Sequence, residues 1–147
     1  MPFVVVAGIP AFLPVRMTKT GTQPMPEAWG LIKNWTADTG GFPGSVVVND
    51  GLRAVGNKNA AAVTASIPFT GATTGFGGPT QLQARLRVNS TIVATIDPPV
   101  EGPSGTLTVN ATVDIAAGDL VTVEALAVPA SGGAAGTVSA GGYVRIL

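Results

Sequence analysis

Ten consecutive residues alternate without a break. Leu107, Val109, Ala111, Val113 and Ile115 lie between Thr106, Thr108, Asn110, Thr112 and Asp114. A side-chain period of two puts one row of residues on a dry face and the other on a wet face, and it does not fit a helix, whose period is 3.6. The run ends at Ala117-Gly118-Asp119, where glycine can take positive φ and the aspartate can bond its own turn. A second strand is expected over Leu120–Val128, with Val121, Val123, Ala125 and Ala127 on one face. A Gly/Ala loop follows. A third strand is expected over Val138–Leu147, paired to a neighbour because a loose apolar strand would fray.

The rest of the chain repeats this grammar. Leu82, Ala84, Leu86 and Val88 alternate with Gln81, Gln83, Arg85, Arg87 and Asn89, and Val63, Ala65, Ile67 and Phe69 alternate over the segment before it. Ser45–Val48 and Leu52–Val55 flank Asn49-Asp50-Gly51, a hairpin signal. Thr91–Ile96 returns from an Asn89-Ser90 turn. Glu27–Trp35 is expected as one strand with Trp29, Leu31 and Trp35 on alternate positions, since Gly30 weakens a helix. Gly71–Thr80 and the proline-rich Asp97–Gly105 are surface loops. About ten short strands with turns between them predict an all-β sandwich or barrel, and 147 residues suit one domain.

Residues 1–17 read differently. Pro10 and Pro14 interrupt an apolar run too short for a membrane-spanning helix, and no basic residue precedes Arg16, as a secretory signal would require. The expectation is an extended arm, 1–17, followed by the β domain, 18–147. Phe3, Val5, Ile9, Phe12 and Leu13 are the arm's candidate anchors on a neighbouring subunit or a larger shell.

Composition narrows the function. Charged residues make up 11% of the chain, against about 25% in an average domain, so an extensive buried interface is expected. Basic residues are scattered, which argues against nucleic acid. There is no cysteine and no histidine, hence no thiolate nucleophile and no imidazole base or ligand. The glycine-rich segments 71–78 and 132–136 lack the Gly-Lys-Ser/Thr of a phosphate loop. Asp114, Asp119 and Glu124 lie near one turn, but turn capping for Asp119 and solvation or ion pairing for Glu124 are the simpler roles. Arg85 and Arg87 are expected to be solvated. The reading is a non-enzymatic protein without cofactor or metal.

The long alternating strand, the Gly-Asp turn, the Val-x-Val strand and the terminal Ser139-Ala-Gly-Gly-Tyr-Val-Arg-Ile-Leu147 together resemble the end of a C1q/TNF-like jelly roll. More narrowly, residues from about Thr18 to Leu147 are similar to domains of virion proteins from tailed phages of actinobacteria, including head decoration and minor tail proteins. The resemblance implies a C1q/TNF-like jelly-roll sandwich that assembles as a homotrimer, with Tyr143, Arg145 and Leu147 at the subunit interface. It implies a capsid decoration protein on the virion surface that binds the major capsid protein through Phe3, Val5, Ile9, Phe12 and Leu13. The alternative is a tail-tip or fibre module that binds a host glycan or surface protein through Gly71–Thr80 and Pro98–Gly105. Neither reading involves nucleic acid or a membrane.

Overall fold

The computed structural model describes Pro2, Gly8 and residues 10–147. Among these residues there are thirteen strands and no helix: β1 Val15–Lys19, β2 Gln23–Pro24, β3 Gly30–Leu31, β4 Trp35–Ala37, β5 Val47–Val48, β6 Gly51–Arg53, β7 Lys58–Thr70, β8 Gln81–Val88, β9 Thr91–Thr95, β10 Ser104–Ile115, β11 Leu120–Val128, β12 Thr137–Val138 and β13 Tyr143–Ile146. They form two antiparallel sheets. The first has the order β10–β7–β13–β1–β4, with β12 beside β7 and β2 beside β12. The second has the order β5–β6–β11–β8–β9, with β3 beside β11.

The alternating residues meet between the sheets. Val15, Met17, Val63, Ala65, Ile67, Leu107, Val109, Val144 and Ile146 point inward from the first, and Leu52, Leu82, Ala84, Leu86, Val121, Val123, Ala125 and Ala127 from the second; all are buried. Each fully buried Val, Leu or Ile contributes about 1.5–3 kcal/mol of transfer free energy before ordering costs. The turns follow their residues. Asn49 and Asp50 both have positive φ, 47° and 60°, which makes the β5–β6 hairpin a two-residue type I′ turn. Asp119 accepts from the Ala116 amide at 2.9 Å and closes the β10–β11 turn.

Three expectations change. Val15–Met17, assigned to the arm, belong to the sheet: β1 pairs with β13 and β4, because its alternate residues are apolar enough to line the core. Glu27–Trp35 is not one strand. Gly30–Leu31 pairs with β11 in the second sheet and Trp35–Ala37 with β1 in the first. Asn34, at φ 62°, turns the chain between them. The expected strand Val138–Leu147 is broken into β12 and β13, both beside β7. Five steps along the terminal segment, from Val138 to Tyr143, face three along β7, from Phe69 to Ser66. The cause is Pro68, whose carbonyl accepts from Ser139 on that side at 2.8 Å but which has no N–H to return. Ser139–Gly142 bulge out past it, with Gly141 at φ 89°.

Candidate functional site

The outer face of the first sheet carries Tyr143, Arg145 and Leu147. Successive odd positions of one strand project to the same side, and all three are half-buried. Arg16 joins them from β1, directly opposite Arg145 in the antiparallel register, while Tyr143 lies opposite Thr18. The Arg16 guanidinium sits 4.6 Å and the Arg145 guanidinium 5.4 Å from the centre of the Tyr143 ring. Asp38 reaches Arg16 only loosely, at 3.8 Å. Across β7 and β10 the same face continues with Ser66 and Thr108, then Thr64 and Asn110, and the Thr64 hydroxyl donates to Asn110 Oδ1 at 2.9 Å. The face therefore presents hydroxyls and amides around one aromatic ring and two arginines, with Asp38 at its edge beside Arg16. The sequence reading missed Arg16 because it assigned residues 15–17 to the arm, although Val15 and Met17 flank it at the spacing of a strand.

Of the five candidate anchors, Phe3, Val5 and Ile9 lie outside the described residues. Phe12 packs against the core of its own domain, with Lys58 Nζ 4.7 Å from its ring centre. Its backbone passes so close to Gly56 that a Cβ there would lie 2.5 Å from the Phe12 nitrogen. Leu13 is 47% exposed and bridges Val55 through a 3.1 Å backbone hydrogen bond. Leu13 also lines a groove of about 270 Å³ with Pro14, Phe42 and Pro43. These contacts tie Phe12 and Leu13 to the sandwich.

At one end of the sandwich, residues 71–80 interlock with 130–136. The Phe76 amide donates to Ser131 O at 2.8 Å, Thr73 exchanges hydrogen bonds with Ala134, and the buried Thr80 hydroxyl lies 2.8 Å from Thr73 O and 3.0 Å from Ala134 O. Phe76 at the tip is 100% exposed. Beside it, a cleft of about 300 Å³ is lined by Thr73, Thr74, Pro79 and Thr80 from one loop and Gly102 and Pro103 from the next. The sequence placed Phe76 in this loop but could not show that its ring lies fully exposed beside Gly132.

The carboxylates near the β10–β11 turn do not converge. Asp114 Oδ1 accepts from the Ala60 amide at 2.8 Å, Asp119 caps its turn and accepts from Asn89, and Glu124 lies on the outer face of the second sheet. There Glu124 pairs with Arg85 through its Nε and with Arg87 at 3.0 Å, while the Arg85 guanidinium stacks 4.3 Å from the Trp29 ring centre. Arg85 and Arg87 are thus ion-paired, where solvation was expected. Burial alone would push the Glu124 carboxyl up, but the hydrogen bonds and charges of the two arginines outweigh it and hold it below its ordinary value. No group of three acidic side chains among the described residues is placed to hold a metal ion.

The two sheets and their connections define a C1q/TNF-like jelly-roll sandwich. The chain is similar to a solved structure of the TNF protein Eiger from S. frugiperda, with a TM-score of 0.63 over 93% of this chain and 91% of that one at 11% sequence identity. No family model and no curated protein matches the sequence.

Proposed function

We propose that the protein is a structural component of a tailed-phage virion, a trimeric capsid decoration protein. The carrying observation is the outer face of the first sheet, where Tyr143, Arg145 and Leu147 stand half-buried on the strand that ends the jelly roll. An aromatic ring with a polar tip, flanked by an aliphatic side chain and by small hydroxyls, suits burial against another copy of the same face. A chain with only 11% charged residues has the composition for such burial. In this reading the N-terminal segment leaves the sandwich at Phe12 and Leu13 and grips the major capsid protein through Phe3, Val5 and Ile9, with Leu13 at its root. Three arms on one trimer bind with avidity, so modest contacts per arm suffice.

Quantitative mass spectrometry of purified particles of the encoding phage tests this. Hundreds of copies per particle are expected. A handful would move the protein to the tail, and absence from particles would overturn the virion reading altogether.

The second reading, a tail-tip module that binds a host glycan or surface protein, draws on the cleft between residues 72–80 and 102–103 and on the exposed Phe76 beside it. Binding of the isolated protein to host cells, lost on substitution of Phe76, would favour it.

A further inference from the structure

The two outer sheet faces each carry a pair of arginines, and they treat them differently. On the second sheet, Arg85 and Arg87 share the carboxylate of Glu124. On the first sheet, Arg16 and Arg145 face each other directly across β1 and β13, an arrangement in which like charges repel. Their common neighbour is the Tyr143 ring, not an acid. Arg145 has no ion pair among the described residues, and Arg16 has one carboxylate at 3.8 Å. That carboxylate, Asp38, is also turned toward the Gly41 amide. The Nε atoms of Arg16 and Arg145 are both buried without a hydrogen-bond partner, as is that of Arg87, so the contrast between the sheets lies in the carboxylate and not in Nε. None of residues 1–9 has an acidic side chain to supply. Two guanidinium groups beside one ring, with a single loosely placed carboxylate between them, suit an oxyanion, which can accept from the terminal N–H groups of either one.

We propose that Arg16 and Arg145, with Tyr143 as the floor between them, form a binding site for an oxyanion, either a free tetrahedral anion or a carboxylate. The site relieves the cross-strand repulsion by placing negative charge where the second sheet has Glu124. Both arginines belong to one chain, so a monomer carries the whole site; in a trimer that buries this face the anion would lie between subunits, and light scattering of each variant in chloride separates loss of the site from loss of the trimer.

The test is thermal unfolding of the full chain in chloride, with sulfate or acetate substituted at constant ionic strength so that screening is unchanged. Sulfate also stabilises proteins generally by exclusion from their surface, so the readout is the difference between variants. Wild type should show a saturable rise in Tm, about 4 °C at ten times the dissociation constant. Arg145→Gln should lose that saturable part and keep the general drift. It should also melt no lower than wild type in chloride alone, because the repulsion is gone. Arg53→Gln, which removes an exposed arginine on β6, should respond as wild type does. A response to sulfate alone assigns the site to tetrahedral anions, and a response to acetate assigns it to carboxylates. Equal shifts in all three proteins, or the absence of a saturable shift in wild type, would overturn the proposal. If Arg145→Gln melts well below wild type in chloride, the repulsion argument fails with it.

Discussion

Glu124 shows how a single side chain ties two strands and a loop together. It pairs with both Arg85 and Arg87 on β8 from its place on β11, and Arg85 in turn covers Trp29. The three charged side chains keep only 13–29% exposure, so the group is worth more than a solvated surface pair and less than a fully buried one. Glu124→Gln should lower stability by about 1–2 kcal/mol, read as a shift in denaturant midpoint without a change in slope. The pH dependence has a definite sign. The folded carboxyl titrates below the unfolded one, so its contribution is complete above about pH 4.3 and is lost as pH falls through the lower folded value. The acid limb of the wild-type stability curve should therefore be steeper than that of Glu124→Gln. Lys19 gives the opposite case at alkaline pH. It is 3% exposed, and its ammonium donates to Thr20 O at 3.0 Å and Gly21 O at 3.1 Å. Burial lowers its pKa, against a smaller upward pull from Asp50. A lysine that deprotonates earlier when folded makes the protein gain stability as pH rises through that value toward 10.5, the ordinary one. Lys19→Met should flatten this alkaline rise in unfolding measurements, and a rise equal to wild type would show that other groups cause it.

At the scale of the element, what the sequence shows depends on how local the cause is. Strands β7, β8, β10 and β11 are written in their own alternation, and the structure buries most of the residues that the alternation selects, with Val88, Ala111 and Val113 half-buried. The β5–β6 turn is equally local, because Asn and Asp tolerate positive φ. The terminal strand departs from its expected course because its break comes from Pro68, 69 positions before the start of β12, and nothing in Val138–Leu147 announces a neighbour without an N–H. The division of Glu27–Trp35 between two sheets is hidden for a similar reason. Trp29 and Trp35 are both aromatic, yet one covers Arg85 on an outer face and the other is buried, with its indole N–H 2.7 Å from Ile32 O. The candidate site was legible for Tyr143, Arg145 and Leu147, which share a strand, and not for Arg16, which reaches them only through the β1–β13 pairing. The interlocked loops are the extreme case. Gly75 leaves room for the backbone of the other loop, and a Cβ in its place would stand 2.3 Å from Ser131 O and 2.7 Å from the Gly133 nitrogen. Gly75→Ala should push the two loops apart at a cost of about 1–3 kcal/mol. Proteolysis within residues 71–80 or 130–136 should then precede global unfolding, and loops that stay resistant would mean the backbone absorbs the methyl group.

At the scale of the whole molecule, the fold sets where a truncation divides. The sandwich includes more of the N-terminal region than its composition suggests. Val15 and Met17 are fully buried core residues, Leu13 is hydrogen-bonded to Val55, and Phe12 lies against Lys58. Deleting residues 2–15 therefore removes part of the first sheet as well as the arm. Loss of the buried Val15 side chain alone costs about 1.5–3 kcal/mol of transfer free energy, and the Phe12 and Leu13 contacts go with it. Deleting residues 2–10 spares all of these. The shorter deletion should leave the melting temperature close to that of the full chain, whereas the longer one should lower it by several degrees. Only the shorter one is a clean test of the arm. If Phe3, Val5 and Ile9 hold the protein on capsids, the 2–10 deletion should be a folded trimer by light scattering that no longer sediments with particles lacking the native protein. Tyr143→Ala probes the other contact. If this face is the trimer interface, the substitution should yield monomers while the β-sheet circular dichroism is kept, because Tyr143 lies on the outer face and not between the sheets. A trimer unchanged by Tyr143→Ala would remove the first-sheet face as the interface, and particle binding retained by the 2–10 deletion would remove the arm as the anchor.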